Sequence, residues 1–111
     1  MTLTRLPEPP YFVVIFTSVR TSRDDAGYAE TASAMNTLAA RQEGFLGVDS
    51  TARGEDGMAI TASYWRDEAS IRDWKQQVDH TAARNMGREK WYRSYTLWVA
   101  RVDRAYEFET S

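Results

Sequence analysis

His80 is the single imidazole of the chain. Its pKa range spans neutrality, so it can act as a general acid or base. Arg84 stands four residues on and can share its helix face. A charged imidazole beside that guanidinium is disfavoured, so His80 is expected to be neutral. At about 100° per residue, His80 lies roughly 200° round a helix from Val78, facing a cleft mouth or solvent. Asp79 next to it forms no dyad by adjacency, because neighbouring helical side chains diverge. Arg84 and Arg88 are again four apart. Either can hold a phenolate or carboxylate through paired N–H donors, or both are solvated beside Glu89 and Asp79. The hydroxyls of Tyr28, Tyr64, Tyr92 and Tyr95 can give a proton or hydrogen bond to an aromatic ligand, or simply be satisfied within a packed core. Trp74 falls on one stripe with Ile71 and Val78, where its ring walls either a pocket or the core.

Other chemistries are excluded. The chain has no cysteine and one histidine, which removes disulfides, thiolate zinc, iron–sulfur clusters, cysteine nucleophiles and a multi-histidine metal site within one subunit. Gly54 and Gly57 flank a turn without the helix and Lys-Ser/Thr of a phosphate loop. No serine sits in a nucleophile elbow. The formal charge is −2, and residues 11–16 and 58–65 lack interleaved Lys and Arg, so no nucleic-acid partner is expected. No run approaches the roughly 20 apolar residues of a membrane span, and Met1 to Leu6 contain no continuous apolar stretch. No membrane partner and a cytoplasmic location are expected.

These side chains need elements to position them. Residues 1–10, with Pro7, Pro9 and Pro10, read as an extended lead-in. Tyr11 to Val19 is β-branched and aromatic on both faces, a strand needing cover on each side. Asp24 and Asp25 suit a helix start, and Tyr28, Ala32, Met35 and Ala39 repeat at helical spacing up to about Arg41. Gly44 marks a helix stop. A strand from Phe45 to Arg53, a turn at Gly54-Glu55-Asp56-Gly57 and a strand from Met58 to Trp65 form a hairpin. Asp67 can cap a second helix through Ile71, Trp74 and Val78 to about Gly87. Trp91 to Val102 reads as a last strand, with Trp91, Tyr95, Leu97 and Val99 on one face and Tyr92, Trp98, Ala100 and Val102 on the other. Residues 11–108 form one domain and 109–111 a tail.

The order β-α-β-β-α-β, with right-handed crossovers, predicts an α+β, ferredoxin-like fold with an antiparallel sheet and both helices on one face. The chain has 111 residues and 13% aromatic side chains. A core this small buries so many rings with difficulty. The open sheet face would be a large apolar patch, so two sheets are expected to pack face to face in a homodimer.

Arg41-Gln42-Glu43-Gly44-Phe45-Leu46-Gly47, Tyr64-Trp65-Arg66-Asp67-Glu68-Ala69 leading to Trp74, and the run His80, Gly87-Arg88, Trp91-Tyr92, Tyr95 to Tyr106-Glu107-Phe108 carry a resemblance. Over residues 11–108 the chain resembles the antibiotic biosynthesis monooxygenase family, whose members are dimeric α+β barrels. The resemblance implies a small aromatic or hydrophobic ligand between sheet and helices. It implies oxidation by O2 without metal or flavin, so no cofactor is expected. Trp65 then matches a pocket tryptophan and joins His80 and Arg84 as a candidate catalytic residue. Trp74, Tyr64, Tyr28 and Arg88 are the candidate substrate-binding residues.

The oxygenase pattern places an asparagine on strand three shortly before the tryptophan; Thr61, Ala62 and Ser63 stand there instead. A non-catalytic binding or stress-associated protein on the same scaffold is the alternative. Haem-degrading relatives need an asparagine on strand one and a histidine about ten residues after Trp74. Residues 11–20 hold no asparagine, and Arg84 occupies the second place.

Overall fold

The computed structural model describes residues 3–85 and 90–110, with residues 80–85 described in their backbone. Six elements follow one another: β1 (Tyr11–Arg20), α1 (Asp25–Ala40), β2 (Phe45–Ser50), β3 (Met58–Trp65), α2 (Glu68–Asn85) and β4 (Tyr92–Val102). The strands form one antiparallel sheet in the order β2-β3-β1-β4. This is the expected ferredoxin-like α+β fold. The first strand is central, as its two apolar faces demand.

Three junctions aim the helices. At the start of α1, Asp24 adopts a left-handed backbone (φ 52°) and its carboxylate accepts the Gly27 N–H at 3.2 Å. At the start of α2, Asp67 accepts from the Ser70 N–H at 2.8 Å and the Ser70 hydroxyl at 2.7 Å, satisfying a helix-end donor. Between α1 and β2, Gly44 has φ +87°, and its carbonyl accepts the Arg66 N–H at 2.7 Å. A Cβ at this glycine would collide with Ser70 Oγ, so the chain passes too near α2 there to carry a side chain.

Both helical stripes lie over the same sheet face. Val14, Trp65 and Ile71 form the buried centre, with Phe12, Phe45 and Trp74 packed against it. The second helix, capped by Asp67 one residue before Glu68, contributes Ile71 and Trp74 to this centre.

Some boundaries differ from expectation. The second strand ends at Ser50 rather than Arg53, and the last begins at Tyr92 rather than Trp91. More consequential is a register shift in the β1–β4 ladder: Val19 pairs with Ser94, but Arg20 pairs with Tyr92. Arg93 is thus an extra residue, a bulge that reverses the alternation beyond it. Strict alternation puts Tyr92 opposite Tyr95. The bulge brings it back to the helix side, with ring centroids 5.7 Å from Tyr95 and 5.5 Å from Phe16.

The sheet's other face carries Ile15, Ile60, Met58 and Trp98, paired through the registers Ile15↔Trp98 and Thr17↔Ile60. Trp98 is 61% exposed there, and Met58 and Ile60 are also exposed. The lead-in covers the β2 end of this face. Thr4 donates its N–H to Asp49 at 3.0 Å and its hydroxyl to the same carboxylate at 2.8 Å. Among the described residues, no helix is long and apolar enough to cross a membrane.

Candidate functional site

The two helical stripes do not close fully on the sheet. Between them lies a cavity of about 330 Å³. That volume is within the range of small-molecule sites. From α1 it is lined by Tyr28, Ala32, Met35 and Ala39, and from α2 by Ile71, Trp74 and Val78. These are the residues whose spacing marked each helix's apolar face. The sheet contributes its helix-side positions, including Val14, Phe16, Ser63, Trp65 and Leu97.

Trp65 is the hub of one end. It ends β3 beneath α2 and is fully buried. Phe45 meets it edge-on at 5.3 Å, and Trp74 stacks beside it at 6.1 Å with planes 27° apart. Its indole N–H donates to Ser63 Oγ at 2.9 Å. This bond satisfies the one polar atom of the ring within an apolar wall. The partly buried Trp74 ring therefore rests on a buried indole whose own N–H is satisfied.

The other end is phenolic. Tyr28, Tyr92 and Tyr95 line it, with Trp91 behind. Tyr28 meets Trp91 and Tyr92 edge-on at 5.8 and 5.9 Å. Burial pushes the Tyr92 phenol pKa well above its usual value, and the neighbouring Tyr28 phenol adds to this. Tyr92 is therefore a neutral donor at any physiological pH. At the rim, Lys75 Nζ and Asp79 form an i,i+4 ion pair at 2.7 Å.

Behind the phenols lies a charge cluster. Arg20 and Arg53 share Asp25 Oδ1 at 2.9 and 3.1 Å, and Lys90 pairs with Asp24 at 3.2 Å. The Arg53 bond, more than any other contact, holds the Asp25 carboxyl below its usual pKa. The Lys90 bond does the same for Asp24, assisted by the Gly27 N–H and the Trp91 indole.

Of the expected substrate-binding residues, Trp74 and Tyr28 line the cavity with Trp65. Tyr64 does not. It precedes Trp65 on the strand and so points to the opposite sheet face. There its hydroxyl donates to Asp49 at 3.2 Å, and Tyr11 packs edge-on at 6.1 Å. Burial and then the Asp49 charge raise its phenol pKa. His80 and Arg84 stand on the last turns of α2, and their side chains, like all of Arg88, lie outside the described residues.

Three features at or beside the cavity were not singled out from sequence. Ser63 anchors the Trp65 indole, Asn36 lines the α1 wall, and Arg20 underlies Tyr28. Asn36 follows Met35 and stands four residues after Ala32, so its place beside the stripe was readable. Nothing in the sequence marks Arg20, since a charge at a strand end is ordinarily solvated.

The antibiotic biosynthesis monooxygenase family matches residues 10–86. The chain is 50% identical over 107 residues to the uncharacterized protein YqjZ of Bacillus subtilis, covering 96% of this chain and 92% of that one. Among solved structures it is similar to the NE2512 protein of unknown function from Nitrosomonas europaea, with a TM-score of 0.71 and 12% identity, covering 95% of this chain and 100% of that one. It is also similar to SnoaB, a cofactor-independent oxygenase from Streptomyces nogalater, with a TM-score of 0.64 and 13% identity over 92% of this chain and 100% of that one. The chain belongs to the antibiotic biosynthesis monooxygenase family.

Proposed function

We propose that the protein binds a small, flat aromatic molecule between sheet and helices and oxidises it with molecular oxygen, without a resident cofactor. The cavity walled by Trp65, Trp74 and Phe45 carries this reading. Family membership and the shared fold with a cofactor-independent oxygenase support the choice of reaction. In such a step an activated ring CH₂ becomes a carbonyl. One oxygen atom enters the ring system, and the other leaves as water with the two displaced hydrogens. An electron-rich, deprotonated substrate supplies the electrons. The protein's share is to hold the ring, exclude water and favour the ionised form. His80 as base and Arg84 or Arg88 as anion-holding groups complete the assignment.

We also propose that two copies pair through the sheet face carrying Trp98, Ile60 and Met58, and that the protein is cytoplasmic. The exposed apolar side chains on that face support the pairing.

The test is oxygen uptake by the purified protein with a panel of anthrones, naphthols and quinols under air. Uptake at limiting substrate reduced about tenfold in Trp74→Ala, and kept in the turn variant Glu55→Gln, is the expected result. Fluorescence quenching by these compounds with no uptake would instead make the protein a binder on the same scaffold.

A further inference from the structure

The Arg20 side chain is only 8% exposed. Its guanidinium carbon stands 3.4 Å above the Tyr28 ring centroid, in cation–π contact. One terminal nitrogen reaches Asp25, while the buried Nε finds no protein acceptor. Arg53 draws on the same Asp25 oxygen, so the cluster's positive charge is not fully answered there. Keeping a buried guanidinium against a phenol ring in this way is costly unless it has a use.

The use follows from what Tyr28 touches. Its ring meets that of Tyr92 edge-on, with centroids 5.9 Å apart, so the two phenols stand side by side. Tyr28 lines the cavity, and its hydroxyl can donate to a ligand oxygen there. A cation over the ring draws electron density from the phenol oxygen and so favours hydrogen-bond donation by its O–H. Both tyrosines line the cavity at the end away from Trp65 and Trp74.

We propose that Tyr28 is the ligand-orienting donor of the cavity, with Arg20 and Tyr92 as its positioning residues: it binds the oxygen of a ring hydroxyl and favours the ionised oxygen, while the hydrocarbon edge lies against Trp74, which Trp65 backs. This rests on the cavity being the aromatic-ligand site. It adds polarity to that reading: the ligand enters with its oxygen toward β4 and its apolar edge toward β3.

A matched pair of probes, 2-naphthol and naphthalene, tests it through quenching of the cavity tryptophans. The wild type is expected to prefer 2-naphthol by about tenfold, the scale of a lost hydrogen bond to a polarised donor. Tyr28→Phe should abolish the preference while leaving naphthalene binding unchanged. An absorbance titration of bound 2-naphthol separates positioning from packing. Its ionisation should fall below that of free 2-naphthol in the wild type, and the shift should shrink in Arg20→Met. Thermal melting checks that both variants are folded; should Arg20→Met not fold, Tyr28→Phe carries the titration. An undiminished preference in Tyr28→Phe overturns the proposal and leaves the cavity reading standing. Binding of neither probe by the wild type overturns both.

Discussion

The indoles of Trp65 and Trp74 lie 6.1 Å apart with planes 27° from parallel, one ending β3 and the other in the second turn of α2. They divide the labour of one wall: Trp65 is fully buried, while Trp74 is only partly so. Truncating them should therefore have different consequences. Trp65→Ala removes a ring from the centre of the core and should cost about 3–5 kcal/mol of stability. Trp74→Ala should cost less and weaken aromatic-ligand binding by tenfold or so, about the energy of one aromatic contact. Denaturant titration and fluorescence quenching on both variants check this. Equal destabilisation by the two would contradict the division.

Gly44 joins α1 to β2 with a positive φ and faces Ser70. Gly44→Ala requires a strained backbone and a displaced Ser70 hydroxyl, which is itself bonded to Asp67. The expected loss is about 1–3 kcal/mol. Gly44→Ala with Ser70→Ala should recover part of it, read as a rise in melting temperature over the single variant.

Asp67 has its carboxyl pKa lowered to about 2, first by the Ser70 N–H, then by the Ser70 hydroxyl and Arg66. The folded pKa lies below the ordinary 3.8, so the stabilising contribution is complete above 3.8 and is lost as pH falls toward 2. Asp67→Asn should lower the melting temperature at neutral pH and flatten its acid dependence between about pH 4 and pH 2. A wild-type melting curve insensitive to pH across that window would argue against the cap.

Trp98 stands on the sheet face away from the helices, 61% exposed. If two copies pair there, sedimentation will give twice the chain mass of 12.7 kDa. Trp98→Lys should shift the equilibrium toward single chains without altering the cavity on the other face. A wild-type protein sedimenting as one chain at all concentrations would end the pairing proposal.

How far these features were legible depended on the range of the interaction behind each. The sequence by itself determined the element order, because strand alternation, helical periodicity and the turn residues Gly44 and Gly57 are set by neighbours along the chain. It also determined the two stripes, Tyr28-Ala32-Met35-Ala39 and Ile71-Trp74-Val78, that face the cavity. Only the tertiary structure decided how the strands register on one another. The bulge at Arg93 depends on hydrogen bonding between β1 and β4, more than 70 residues apart, and no local pattern announces it. That shift puts Tyr92 beside Tyr28. The burial of Arg20 has the same origin, since Tyr28, Asp25 and Gly57 converge on it only when helix and hairpin have packed. Periodicity tells which face a side chain takes; which partners it meets there is a property of the assembled sheet.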